Sequence, residues 1–162
     1  MPLLMAWLSV GAKAVVRLPH MIADNMVLQQ QSDARLWGWA KPKATVKVTC
    51  SWSDKAVTTK ADNDGKWLLT VSTPKASYTP YTITFTDGDG APVTISNVVT
   101  GEVWVCAGQS NMEMPVRGFG GCPVDNFNHH VLDAAQSYGV RSVKIPSVMS
   151  MTPLEDAQCE WR

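Results

Sequence analysis

The chain has 162 residues, enough for one well-buried core or for a small domain and the beginning of another. Lys plus Arg and Asp plus Glu each number 14, so the formal charge is zero and no basic field exists to hold nucleic acid or an anionic membrane. Apolar residues at 45% against 17% charged argue against disorder, because that much apolar surface can be buried to offset chain entropy.

Residues 1–14 are mostly apolar and close on Ala12-Lys13-Ala14, a small-x-small pattern of the kind cut by signal peptidase. Export to a secreted or periplasmic location is the resulting expectation, although Met1-Pro2-Leu3-Leu4 lacks the basic residues of a leader. The stretch is shorter than the roughly 20 apolar residues that span a bilayer. In an exported protein Cys50, Cys106, Cys122 and Cys159 are free to oxidise, and three full pairings are open. They lack the close C-x-x-C pairs of a structural zinc site, and Cys50 and Cys106 lie in apolar strand patterns, as buried thiols do.

From Ala34 to Val99 apolar residues recur at every second position, the period of a half-buried strand. Arg35–Ala40 carries Leu36, Trp37 and Trp39 and reads as one strand. In Thr45–Trp52, Val46, Val48, Cys50 and Trp52 share a face and Thr45, Lys47, Thr49 and Ser51 the other. Trp67, Leu69 and Val71 repeat the pattern, then Tyr81, Ile83 and Phe85, then Val93–Val99. Asp62-Asn63-Asp64-Gly65 and Asp87-Gly88-Asp89-Gly90 read as hairpin turns, since Gly, Asn and Asp tolerate positive φ. Neither cluster continues into the spaced ligands of a calcium loop. Six or seven short antiparallel strands predict an immunoglobulin-like β-sandwich over residues 15–99.

The period changes near residue 100. Val103-Trp104-Val105-Cys106-Ala107 has no polar alternation, as expected of a parallel strand covered on both faces, and it runs into Gly108-Gln109-Ser110-Asn111. After the glycine-rich loop Gly118–Gly121, a helix is predicted over Asn126–Tyr138, capped by Asp125 or Asn126 and stopped at Gly139. Phe127, Val131, Leu132, Ala135 and Tyr138 fall on one stripe of it. Val140–Ile145 then reads as a second strand, which completes a βαβ unit. The predicted fold is therefore mainly β with an α/β beginning over residues 100–162. Pro146 and Pro153 punctuate an uninformative remainder.

Ser110 falls where a parallel strand ends, which is where active sites of open α/β sheets gather. A serine hydroxyl needs a histidine base, an acid to orient that base, and donors aimed at the developing oxyanion. The Ser110 amide is one candidate donor, with Gly108, Gln109 and Asn111 shaping the loop around it; a plain polar turn accounts for the same residues. The segment departs from the G-x-S-x-G elbow, since Met112 follows Asn111.

Gly101-Glu102-Val103-Trp104-Val105-Cys106-Ala107-Gly108-Gln109-Ser110-Asn111-Met112-Glu113 resembles the first catalytic block of the sialate O-acetylesterase family, a branch of the SGNH or GDSL-like hydrolases. Leu18-Pro19-His20-Met21-Ile22-Ala23-Asp24-Asn25-Met26-Val27-Leu28-Gln29-Gln30 is similar to the opening of mature bacterial members, and Leu36-Trp37-Gly38-Trp39-Ala40 and Asp64-Gly65-Lys66-Trp67 match in order. The resemblance runs from about Val15 to the end. It implies that the α/β beginning is the first βαβ unit of an SGNH-type three-layer domain. It further implies that Ser110 is the nucleophile and its amide the first oxyanion donor, that the substrate is an O-acetyl group on sialic acid or another glycan, and that neither metal nor cofactor is needed. The family also leads one to expect an Asp-x-x-His pair much later in the polypeptide, absent from these 162 residues and expected from a remaining C-terminal part of the same enzyme. His129 and His130 stand on the predicted helix, neither three residues after an aspartate, and read as solvated surface; His20 belongs to no motif. The competing reading is a non-catalytic carbohydrate-binding or interaction module in which Trp37, Trp39, Trp52 or Trp67 stacks on sugars.

Overall fold

The computed structural model describes residues 16–162; the leader expected at residues 1–14 lies outside them. The fold is mainly β. Strands β1 (Val27–Gln29), β2 (Asp33–Trp39), β3 (Thr45–Cys50), β4 (Val57–Lys60), β5 (Lys66–Ser72), β6 (Ser77–Thr86) and β7 (Val93–Gly101) come first. They form a five-stranded sheet, ordered β1-β7-β6-β3-β4, and a two-stranded ribbon, β2-β5. The pairings are antiparallel except β1 with β7, where Val27, Leu28 and Gln29 face Val99, Thr100 and Gly101 in parallel.

The period-two pattern decides which side chains the sheet and ribbon bury between them. Val46, Val48 and Cys50 of β3, Trp67, Leu69 and Val71 of β5, Ile83 and Phe85 of β6, and Ile95 and Val98 of β7 join Leu36, Met26 and Ile22 in one core. The alternating residues Lys47, Thr49, Leu68 and Thr70 stay exposed. Among the described tryptophans, only Trp67 is fully inside, its ring tilted on Phe85 at 5.8 Å between centroids. Gly38 makes room for it: a Cβ there would lie 2.3 Å from the Arg17 carbonyl oxygen and 2.9 Å from the Trp67 ring.

The acidic turns divide in role. Asp87–Gly90 closes the β6–β7 hairpin as expected, with Asp87 Oδ1 accepting from the amides of Asp89 and Gly90 and Gly88 at φ +85°. Asp62–Gly65 is not a hairpin. It carries the chain from β4 in the sheet to β5 in the ribbon, with Asp62 Oδ1 accepting from the amides of Asp64 and Lys66 at 2.9 and 2.8 Å. A hairpin and a crossing need the same positive-φ chemistry, so the turn residues alone could not separate them. Short β1 and β4 went unread because three or four residues carry too little periodicity. Register breaks in β6–β7 around Pro80, which has no N–H to give to a ladder.

The second half corrects the βαβ expectation. Residues 102–107 form no strand, and the Val140–Ile145 region contributes a single bridge, Val143 to Trp161, rather than a strand. A parallel strand buried on both faces needs neighbours at both edges and a layer above and below it. Among the described residues none covers Trp104 or Val105, which are 84% and 90% exposed. Gly118–Gly121 opens a small hairpin of β8 (Gly118–Phe119) and β9 (Cys122–Pro123). Helix α1 is the single turn Ser110–Glu113, and α2 runs Phe127–Ala135, three residues short of Tyr138. The expected side-chain cap of α2 does not form: Asn126 stands in the left-handed region at φ +56°, whereas a capping residue takes extended backbone. Gly139 does take the left-handed conformation, at φ +78°, but beyond the helix end.

The final residues return to the β domain. Trp161 packs on the core, and its indole N–H donates to the Met21 carbonyl at 2.8 Å. Arg141 donates to the carbonyls of Asn25 and Asn97, and Glu155 pairs with Lys66. These contacts hold the segment against the turn that precedes β1, against β7 and against the start of β5.

Candidate active site

Strand β7 delivers the chain to the site. Beyond Gly101 the Glu102 side chain and the Val103 amide are gripped from β1: Gln29 Nε2 donates to Glu102 Oε2 at 3.1 Å, Gln30 Nε2 to Glu102 Oε1 at 2.6 Å, and Val103 N to Gln29 Oε1 at 2.9 Å. The amides of Gln30 and Gln29 hold the Glu102 carboxyl below the usual carboxylate range. The chain then runs unpaired to Gly108, where it folds back so closely that a Cβ would lie 2.8 Å from Met112 Cγ.

Ser110 is the first residue of α1 and is exposed. Gln109 precedes the turn, and its carbonyl accepts from Met112 N at 2.9 Å. Gly108, Gln109, Ser110 and Asn111 thus stand together on one solvent-facing bend, as their contiguity requires. No hydrogen bond to the Ser110 hydroxyl exists among the described residues, and no histidine is brought to it.

Each histidine is accounted for elsewhere. His129 lies on the exposed face of α2 and is hydrogen-bonded to Asp133 four residues on, Nδ1 to Oδ2 at 2.9 Å, with His130 exposed beside it. His20 pairs with Asp156: its ring Nδ1 lies 2.8 Å from Oδ2, and its backbone N–H donates to Oδ1 at 3.0 Å. Partial burial pushes the Asp156 carboxyl up, but the donors from His20 and the Ala157 amide outweigh it and hold the group below its usual value. Sequence reading missed this pair because 136 residues separate its members and neither stands in a motif.

The cysteines also divide. All four are thiols, Cys50 buried, Cys159 half-buried, Cys106 and Cys122 exposed. Burial pushes Cys50 up to about 11. Cys106 is not the buried thiol its apolar neighbours implied, since the segment around it lacks covering layers. Among the tryptophans considered as sugar contacts, Trp67 is core, Trp52 is half-buried edge-on to Tyr81 at 5.3 Å, and the Arg17 guanidinium lies 3.6 Å from the centre of the Trp39 ring. Trp37 packs partly buried against the core.

No family model matches the chain. It is 30% identical to the sialate O-acetylesterase of Mus musculus, in an alignment covering 95% of this chain and 29% of that protein. It is 28% identical to the sialate O-acetylesterase of Homo sapiens, over 94% and 30% respectively. The crystal structure of a carbohydrate acetylesterase from Xanthomonas citri superposes with a TM-score of 0.74 at 30% identity, covering 91% of this chain and 32% of that one. The chain is homologous over nearly its whole length to part of the sialate O-acetylesterases, and it spans about three-tenths of the length of these relatives.

Proposed function

We propose that this chain is the N-terminal portion of a serine esterase that removes O-acetyl groups from sialic acid or other glycans, with Ser110 as nucleophile. The observation that carries the reading is the exposed Ser110 on the bend after β7, in a chain homologous along its length to acetylesterases. In this reading residues 15–99 are an immunoglobulin-like sandwich and residues 100–162 the start of an SGNH-type domain. The uncovered Val103–Ala107 run supports a continuation: the remaining C-terminal part of the enzyme would supply neighbouring strands, the histidine base and its aspartate. The Met1–Ala14 leader pattern supports a secreted or periplasmic enzyme.

The chemistry follows from what a hydroxyl can do when its proton is taken. Ser110 Oγ forms a bond to the acetyl carbonyl carbon while its proton passes to the base. The carbonyl oxygen gains the electron pair and is met by the Ser110 amide, with Gly108, Gln109 and Asn111 shaping the pocket around it. The bond from carbon to the sugar oxygen then breaks, the sugar takes the proton from the base, and water releases acetate from Ser110 by the same steps.

The test is acetate release from O-acetylated sialic acid, and p-nitrophenyl acetate hydrolysis, by the full-length protein and by Ser110→Ala. The variant is expected to lose roughly 10⁴-fold or more in kcat. Undiminished turnover overturns the assignment, as does fluorophosphonate labelling that persists in Ser110→Ala.

A further inference from the structure

We infer that Gln29, Gln30 and Glu102 form a positioning clamp that sets the register of the segment leading to Ser110, an inference that rests on the esterase reading above.

β1 and β7 are parallel, so their carboxyl ends lie side by side, and Gln29 is paired with Gly101. From that shared end the two glutamines reach the next residue of the neighbouring strand. Each gives one amide N–H to a different oxygen of the same carboxylate, Gln30 to Oε1 and Gln29 to Oε2. Their own side-chain oxygens are used as well: Gln29 Oε1 accepts from Val103 N, and Gln30 Oε1 accepts from Ala76 N at 2.8 Å. Gln30 N donates to the Gly101 carbonyl at 2.9 Å, and the Gln29 carbonyl accepts from Thr73 Oγ1 at 2.6 Å. Gln29 therefore grips two successive residues, one by side chain and one by backbone, which fixes both the position and the direction in which the chain leaves the sheet.

Direction matters because the faces of the next residues alternate. Val103, Val105 and Ala107 project to one side of an extended chain and Trp104 and Cys106 to the other. A slip of one residue exchanges those faces and moves Ser110 by about 3.3 Å along the chain. A misplacement of about 1 Å is enough to cost roughly 10²-fold in rate. With no other side-chain hydrogen bond to residues 103–109 among the described residues, the clamp is the anchor from which the serine is placed.

The test uses the full-length protein with Q29E, E102Q and the double variant Q29E/E102Q, and with S110A as control. Q29E opposes two carboxylates, and E102Q turns an amide N–H toward an amide N–H. The double variant restores a carboxylate at position 29 facing a donor at position 102, while the amide carbonyl that E102Q introduces still accepts from Gln30. Fluorophosphonate titration counts reactive serines, so kcat is expressed per reactive site and loss of folded protein drops out. Each single variant is expected to lose roughly 10- to 100-fold in kcat with KM within about twofold, and the double variant to recover most of the loss. Lowered thermal stability with kcat per site unchanged overturns the clamp as a positioning device, as does a double variant no better than either single. Where S110A abolishes wild-type activity, such a result removes the clamp alone. Absence of wild-type activity, or activity undiminished by S110A, removes the esterase reading and the clamp with it.

Discussion

The indole N–H of Trp161 and the backbone carbonyl of Met21 meet at 2.8 Å across 140 residues of sequence, and this contact ties the last residues of the chain to the turn that opens the β domain. The same ring packs on the core, and Ser142 and Arg162 exchange backbone hydrogen bonds beside it at 2.8 and 2.9 Å. Trp161→Phe keeps most of the apolar contact and loses the donor, so it is expected to cost about 1 kcal/mol. Trp161→Ala loses both, roughly 2–3 kcal/mol. Urea unfolding of the two variants separates the terms. No loss in Trp161→Phe would mean that the hydrogen bond contributes nothing, and equal losses in the two variants that the packing does not.

Two valines in similar apolar runs are expected to behave oppositely. Val48 is fully buried between sheet and ribbon, and Val48→Ala removes two methyl groups from a packed site, at about 2 kcal/mol. Val105 stands 90% exposed, and Val105→Ala is expected to change the stability of this chain by less than about 0.5 kcal/mol. Comparable losses at the two positions would show Val105 to be covered in solution.

That pair marks the boundary of what was legible in the sequence. Where polar and apolar residues alternate, as in Val46-Lys47-Val48-Thr49-Cys50, the pattern names both the element and its buried face, because one side of a sheet is wet. In Val103-Trp104-Val105-Cys106-Ala107 nothing alternates, and the pattern describes an environment that has to come from other segments. Periodicity reports what a residue run requires, and only the surrounding layers decide whether it is met. The Gly108–Asn111 bend could be located by motif, and the role proposed for Ser110 rests on that motif. The Gln29–Glu102 grip and the His20–Asp156 pair were not, because each joins residues far apart in sequence through side chains with no fixed spacing.

Two glycines with nearly the same φ differ in surroundings. Gly65 stands at φ +79° with a Cβ position 2.4 Å from the Ala40 carbonyl oxygen; Gly88 stands at φ +85° with nothing within 4 Å. Gly88→Ala is expected to cost only the left-handed strain, about 1 kcal/mol. Gly65→Ala must also push the β4–β5 link away from the Ala40 backbone that follows β2, and is expected to cost at least about 2 kcal/mol more by thermal unfolding. A smaller effect at Gly65 than at Gly88 would contradict the crossing geometry.

Thiol reactivity is expected to follow exposure. Cys50 is buried and pushed up to about 11, so at pH 8 roughly one molecule in a thousand carries its thiolate. Cys106 and Cys122 are exposed, and iodoacetamide is expected to modify both within minutes while Cys50 persists until the protein is unfolded. Peptide mapping of the alkylated protein reads the order directly. Early modification of Cys50 would place β3 at a surface.

Acid should loosen the chain's end through Asp156. Its carboxyl is held below the usual value in the folded state by His20 and Ala157, so the native form binds fewer protons than the unfolded one. The stabilisation is therefore complete above the ordinary carboxylate range and is lost as pH falls through the depressed value. Glu102 and Glu155 are depressed as well, by Gln30 and Gln29 and by Lys66, and act in the same direction, so the wild type alone cannot assign the effect. Asp156→Asn isolates it: the variant is expected to be less stable than the wild type by about 1 kcal/mol at pH 7, and the gap to close as pH falls through the depressed value. Urea midpoints measured from pH 7 down through the acid range give the difference. A gap that stays constant on acidification would mean that Asp156 contributes by shape and not by charge.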